Sequence, residues 1–238
     1  MVTYTITPLG EAALFVSFGH VISPHIHRYV RILSEYLDRH RFVGFKECIL
    51  SYTAVTVIYD PFFVKRNIGL DKTAAEIVED MLRQAVENMD KKPLAPADIV
   101  EIPVCYGGEY GPDLEYVASY HDMTTTEVVK IHSNTEYLVY MIGFCPGFPY
   151  MGGLDERIAT PRRKSPRLSI PARSVGIAGE QTGVYPLATP GGWQIIGRAA
   201  VELFTPVRDT PSLLKAGDKI HFIPIDIDTY KEIRGDSV

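Results

Sequence analysis

Two apolar periods alternate along the N-terminal part of the chain. Residues 4–8 (YTITP) and 14–19 (LFVSFG) are short runs rich in β-branched and aromatic side chains, and they predict strands with Gly10 in the turn between them. Ser23-Pro24 sets a capping hydroxyl before a proline at the first helical position. Ile26, Val30, Leu33 and Leu37 follow at spacings of four, three and four, which predicts a helix. Residues 48–52 and 54–60 read as strands, the second ended by Pro61. The clearest helix spans 73–90, where Ile77, Val78, Met81, Leu82, Ala85, Val86 and Met89 form one apolar face and the other positions are largely charged or polar. Residues 91–96 (KKPLAP) set two prolines beside adjacent lysines and predict a linker, after which 99–104 is a further strand. The order β-β-α-β-β-α, open to closure by one more strand, predicts a mostly antiparallel sheet with helices on one face.

The second part has a different texture. Residues 112–122 and 124–133 predict two short helices, the second opened by a capping box of Thr124 and Glu127. From 141 to 198 the chain holds ten of its nineteen glycines and seven of its seventeen prolines, a density that breaks any long element. Short apolar runs at 137–142, 174–178, 193–196, 201–204 and 220–223 lie in or near this stretch, and a turn at 215–218 feeds the last. Closely spaced short strands of this kind predict a barrel or a sandwich.

Composition narrows the class. Of 238 residues, 46% are hydrophobic and 22% charged, which excludes a disordered chain, a coiled coil or collagen. The apolar runs fall short of the roughly 18 residues a membrane helix needs. The first residues carry no Lys or Arg ahead of their apolar part and do not read as a signal peptide. The formal charge of −5 argues against a nucleic-acid-binding surface. The three cysteines, without C-x-x-C, and the seven histidines, without H-x-x-x-H, argue against a disulfide framework or a zinc site and fit a reducing cytoplasm.

Candidate chemistry concentrates between 143 and 198. Gly143-Phe-Cys-Pro-Gly-Phe-Pro-Tyr150 mixes rigid and permissive backbone with large rings. It reads either as a barrel corner that needs Gly and Pro or as a pocket rim lined by Phe144, Phe148 and Tyr150. Residues 157–173 then carry six cations and no acid, against a balance of −11 for the rest of the chain. Five of the six are arginines, whose planar fork suits carboxylate or phosphate. A solvated loop or a salt-bridged interface is the plainer reading. Glu180, Gln181 and Thr182 offer polar groups among small residues, toward a pocket or in an ordinary hairpin. Trp193, the only tryptophan, reads first as a core anchor, and His132 as a helix-end cap rather than a base. Neither the G-x-x-x-x-G-K-[ST] phosphate cradle nor a G-x-S-x-G elbow occurs, and Cys145 has no obvious histidine near it in sequence.

The stretch 143–198 (GFCPGFPYMGGLDERIATPRRKSPRLSIPARSVGIAGEQTGVYPLATPGGWQIIGR), together with 101–118 (EIPVCYGGEYGPDLEYVA), resembles the allophanate hydrolase subunit 1 family, and within it the KipI/PxpB branch. The resemblance covers essentially the whole chain. It implies an α+β N-terminal domain, a ferredoxin-like sandwich, over 1–96, followed by a cyclophilin-like mostly-β barrel over 97–238. It further implies a component of an ATP-dependent 5-oxoprolinase that opens 5-oxoproline to glutamate. Its partners would be a subunit-2-type homologue (PxpC/KipA-like) and a LamB/YcsF-type subunit (PxpA-like), with ATP bound jointly with these partners and no metal or organic cofactor. Two alternatives come with the same resemblance. One is inhibition of a sporulation sensor histidine kinase, docked on an apolar patch around Phe144, Phe148 and Met151. The other is subunit 1 of an allophanate hydrolase or urea carboxylase system. The matching motif supplies Phe144, Phe148, Arg162, Arg163, Arg167, Pro171, Gln181 and Trp193 as pocket candidates. Arginines 162–167 are expected to converge with Phe148 and Gln181 on one concavity, and catalytic residues remain unassigned. Two positions depart from the family: Arg173 stands where Gly is common, and Cys145 where Ala is usual. A long cation at 173 would crowd the pocket or strengthen anion binding.

Overall fold

A computed structural model describes residues 2–69, 71–89 and 99–235, so the linker expected at 91–96 lies outside the described residues. The chain divides into two compact units, Met1–Pro96 and Ala97–Val238.

In the first unit, strands β1 (Thr5–Pro8) and β2 (Ala13–Ser17) form a hairpin, helix α1 (Pro24–Arg39) follows, and β3 (Phe45–Leu50) pairs with β4 (Ala54–Tyr59). The sheet order is β1-β2-β4-β3, antiparallel throughout. Period-two alternation turns Leu14, Val16, Val55, Val57 and Tyr59 to one side, where α1 delivers Val30, Leu33 and Leu37. Helix α3 (Ala74–Asn88) adds Val78, Leu82 and Val86 to the same core. Burial of side chains such as these stabilises the fold by roughly 1.5–3 kcal/mol each. The Ser23 hydroxyl accepts from the Ile26 amide at 3.2 Å and starts α1 where expected. A βαββαβ ferredoxin order would set its last strand, after α3, on the free edge of β2; here the N-terminal β1 occupies that edge.

Pro61 was expected only to end a strand, yet it also starts helix α2 (Pro61–Ile68). The Asp60 carboxylate accepts from the Phe63 amide at 2.9 Å, so Asp-Pro works as a cap followed by a first-position proline.

The second unit opens with β5 (Ile99–Tyr106), helices α4 (Leu114–Tyr120) and α5 (Thr125–Asn134), and strands β6 (Tyr137–Ile142) and β7 (Pro149–Gly152). After a 3-10 turn at Glu156–Ile158 come β8 (Arg167–Ile170), β9 (Ser174–Ala178), β10 (Gln181–Val184), β11 (Thr189–Gly191), β12 (Gln194–Ala199), β13 (Lys219–Ile225) and helix α6 (Ile227–Arg234). Seven strands close a barrel in the order β10-β7-β6-β13-β5-β12-β9, while β8 and β11 form a separate ribbon. An odd number of strands cannot alternate direction all the way round, and β5 and β13 supply the parallel pair. Ile102, Val104, Val139, Met151, Val175, Ile177, Val184, Ile196 and Phe222 fill the interior. The run at 201–204, expected as a strand, makes only a single bridge, Phe204 to Ser212.

His132 is no helix cap. It lies wholly buried inside the barrel unit, its ring stacked on Phe222 at 4.7 Å. Thr182 Oγ1 donates to the Gly176 carbonyl at 3.0 Å, so it accepts from His132 Nε2 at 2.9 Å, and His132 Nδ1 accepts from the Tyr106 hydroxyl at 2.8 Å. Thr182 therefore belongs to the interior and does not line an outer pocket.

Candidate functional site

The same pleat that sends Val184, Ile177 and Ile196 inward sends Tyr185, Ala178 and Ile195 outward, onto the barrel wall formed by β7, β10, β9 and β12. There a second apolar cluster gathers Phe148, Tyr185, Trp193, Ile195 and Ala178 with Ile170 from the β8–β11 ribbon. Its rings meet edge to face. Phe148 lies 5.0 Å from Tyr150, 5.4 Å from Tyr185 and 5.6 Å from Trp193, and Tyr185 lies 6.1 Å from Trp193. This is the arrangement that ring quadrupoles favour. Gly183 makes it possible: a Cβ there would come within 3.0 Å of Trp193 and 3.1 Å of Phe148.

The loop from β6 to β7 forms the rim. Gly143 N donates to the Phe148 carbonyl at 3.1 Å and Phe148 N to the Cys145 carbonyl at 3.0 Å. This closed turn holds Phe144 at φ +65°, a left-handed conformation that costs a bulky residue free energy. Phe144 is 61% exposed and stands edge-on to Phe148 at 5.5 Å. Phe148 and Met151 are both buried, Met151 inside the barrel, so of the three side chains expected to form an apolar docking patch only Phe144 reaches the surface.

The arginines take different partners, and the expectation that Arg162, Arg163 and Arg167 meet Phe148 and Gln181 as one set is corrected. Arg162 lies over the Trp193 ring, 5.9 Å from its centroid. Its charge also reaches Tyr150 and Tyr185. Burial pushes the Tyr185 hydroxyl up to about 12, and Arg162 opposes that rise. Arg163 and Arg167 instead bind the buried Asp113 at 3.0 and 2.7 Å. The second Asp113 carboxylate oxygen accepts from Ile195 N at 2.6 Å. A buried carboxylate must be paired to be tolerated, and two guanidiniums together with a backbone amide satisfy this one. The clamp fixes the 161–167 loop against β12, aided by Arg163 N donating to the Gly192 carbonyl at 2.7 Å.

The remaining candidates scatter. By alternation Gln181 shares the outward face of β10 with Gly183, since Thr182 between them points inward. Glu180 is exposed in the turn joining β9 to β10. Pro171 is exposed in the turn after β8, where its carbonyl accepts from the Ser174 hydroxyl at 2.8 Å. Arg173 neither crowds the aromatic cluster nor adds a cation to it. Its guanidinium pairs with Glu202 at 2.6 Å, and Glu202 also takes Arg234 at 2.9 Å. Its backbone sits at φ +67°, in the left-handed region that favours glycine. Burial pushes the Cys145 thiol up, away from the thiolate a nucleophile needs. Asp113 and Tyr185 were missed by sequence reasoning. Tyr185 carried a signal, an aromatic one step past an inward valine.

Among the described residues no group of three or more His, Cys, Asp or Glu is placed to hold a metal ion, and no helix is long and apolar enough to cross a membrane.

Known proteins share this architecture. A protein of Bacillus subtilis (strain 168) named as the B subunit of 5-oxoprolinase is 46% identical over 239 residues, covering 97% of this chain and 98% of its own length. One of the same name from Escherichia coli O157:H7 is 50% identical over 154 residues, 65% of this chain and 70% of its own. The crystal structure of TTHA0988 superposes with a TM-score of 0.76 at 33% identity, over 90% of this chain and 40% of that longer one. The family described as carboxyltransferase domain, subdomain C and D, matches residues 4–214, and the chain belongs to that family.

Proposed function

We propose that this protein is the B subunit of an ATP-dependent 5-oxoprolinase, acting with a subunit-2-type partner and a LamB/YcsF-type subunit to open 5-oxoproline to glutamate. The observation that carries the reading is the 46% identity, along nearly the full length of both chains, to a protein of that name. The rim of the aromatic cluster is compatible with such a substrate. 5-Oxoproline is a five-membered lactam with one carboxylate. Phe148, Tyr185 and Trp193 are buried against one another, so what the cluster offers a small ring is its exposed rim at Phe144, and Arg162 offers a guanidinium beside Trp193 for the carboxylate. Gln181, on the same outward face as Gly183, offers an amide to the lactam. On this reading the barrel is cyclophilin-like, and the first unit is a ferredoxin-like sandwich whose edge strand comes from the N-terminus.

Reconstitution with the two partner subunits tests the proposal. Glutamate release from 5-oxoproline with ATP is expected to require all three, and this chain alone to be inactive. Arg162→Ala is expected to lower kcat/KM for 5-oxoproline about tenfold or more, the loss of one charge-assisted hydrogen bond, with no change in the unfolding midpoint. An inactive set, under conditions where sets assembled from the relatives turn over, overturns it.

A further inference from the structure

Cys145 N donates to the Gly143 carbonyl at 2.7 Å, closing a three-residue turn whose central residue is Phe144 at φ +65°. A γ-turn with its central residue at positive φ is rare and strained, and a bulky side chain there adds to the strain. The ring at the apex is 61% exposed and meets its aromatic neighbours edge-on, Phe148 at 5.5 Å and Tyr185 at 6.5 Å. Two unfavourable features thus fall on one residue of the free chain, a strained backbone and an uncovered aromatic face. We propose that Phe144 is the specificity-determining residue of the lactam site, its ring held out by the turn to cover one face of the bound five-membered ring.

The surrounding structure keeps the turn as it is. Gly143 N and the Phe148 carbonyl close the loop around it at 3.1 Å. Gly147, at φ +80°, lies so close to the segment after β12 that a Cβ there would stand 2.7 Å from Phe204 Cβ and 3.2 Å from the Leu203 carbonyl oxygen. The loop rests directly on residues 203 and 204 and has no room to sink and bury the Phe144 ring. Strain imposed in this way is found where a ligand is clamped, because the side chain is already in place when the ligand arrives. The apex also borders the cation that the carboxylate needs. Phe148 touches Phe144 on one side and Trp193 on the other, the latter at 5.6 Å, and Arg162 lies over Trp193. Tyr185 makes a second link, edge-on to Phe144 and close enough to Arg162 for that charge to act on its hydroxyl. A ligand with its carboxylate on Arg162 lays its ring along this aromatic edge, where Phe144 is the member with a free face. A flat lactam gains contact with that face, and an acyclic amide has no ring to offer it.

The inference rests on the lactam reading and adds to it the residue that selects a ring. In the reconstituted three-subunit set, Phe144→Ala is expected to raise KM for 5-oxoproline about tenfold with kcat within about twofold of wild type, the pattern of binding lost equally from ground state and transition state. Phe144→Tyr keeps the ring and is expected to bring KM back to within about twofold of wild type. N-acetylglycine, an acyclic amide with one carboxylate, is expected to inhibit wild type and Phe144→Ala equally. Urea unfolding of this chain by itself separates strain from binding. The unfolding equilibrium constant of Phe144→Ala is expected to be about fivefold that of Phe144→Gly, since glycine takes the turn without steric cost. A KM that Phe144→Ala leaves unmoved in an active set overturns this inference and leaves the lactam reading standing. So does a Phe144→Tyr variant no better than Phe144→Ala. Equal stability of the Ala and Gly variants overturns the strained turn on which the inference is built. An inactive wild-type set overturns the lactam reading and removes this inference with it.

Discussion

Acidification interrogates the barrel interior directly. His132 is fully buried, accepts from Tyr106, donates to Thr182 and stacks on Phe222. Burial lowers its pKa from 6.5 to about 3. In the unfolded chain the imidazole titrates near 6.5. Below that pH the unfolded state binds a proton that the native state refuses until about pH 3, so stability falls as pH falls through this window. The slope is about 1.4 kcal/mol per pH unit, which makes the loss about 2 kcal/mol between pH 6.5 and pH 5. His132→Gln retains an amide donor and acceptor at the site and removes the titration. Urea unfolding at pH 7 and pH 5, followed by emission of Trp193, which packs in the second unit, measures both proteins through one probe. Carboxylates titrate in both and cancel in the difference. The wild type is expected to lose about 2 kcal/mol more than His132→Gln on going from pH 7 to pH 5. Parallel losses would refute the reasoning, because they would mean that the native imidazole takes up its proton as readily as the unfolded one.

Asp113→Asn preserves an acceptor for the Ile195 amide but strips Arg163 and Arg167 of their carboxylate. Both guanidiniums are partly exposed, at 37% and 25%, so the expected cost is about 2–3 kcal/mol, below that of a fully buried pair. Urea unfolding read by Trp193 checks it, and a cost near zero would make the clamp ornamental. At Arg173 the left-handed backbone and the Glu202 pair act in opposite directions. Arg173→Gly is expected to stay within about 1 kcal/mol of wild type, while Arg173→Ala, which loses the pair and keeps the strain, is expected to be about 1 kcal/mol less stable than Arg173→Gly. Equal stability of the two variants would show that the strain at φ +67° is relieved by some other means.

Local periodicity alone determined much of the architecture. The three-and-four spacing from Ile26 to Leu37 located α1, the apolar face from Ile77 to Val86 located α3, and the runs at 137–142 and 174–178 located β6 and β9. These signals survive because a helix stripe or a strand face is written within a dozen residues. Asp60-Pro61 is equally local, a capping carboxylate before a first-position proline, and reading the proline as a strand stop alone misses the helix it starts. Tertiary structure alone decided where the arginines went. Adjacent in sequence, Arg162 and Arg163 take different partners because Asp113, fifty residues before Arg163, is buried beside one and not the other. It likewise decided that Thr182 belongs to the barrel interior and Gln181 to the wall outside. A pleat alternates side chains between two faces, but which face is inside is set only when seven strands distant in sequence close on one another.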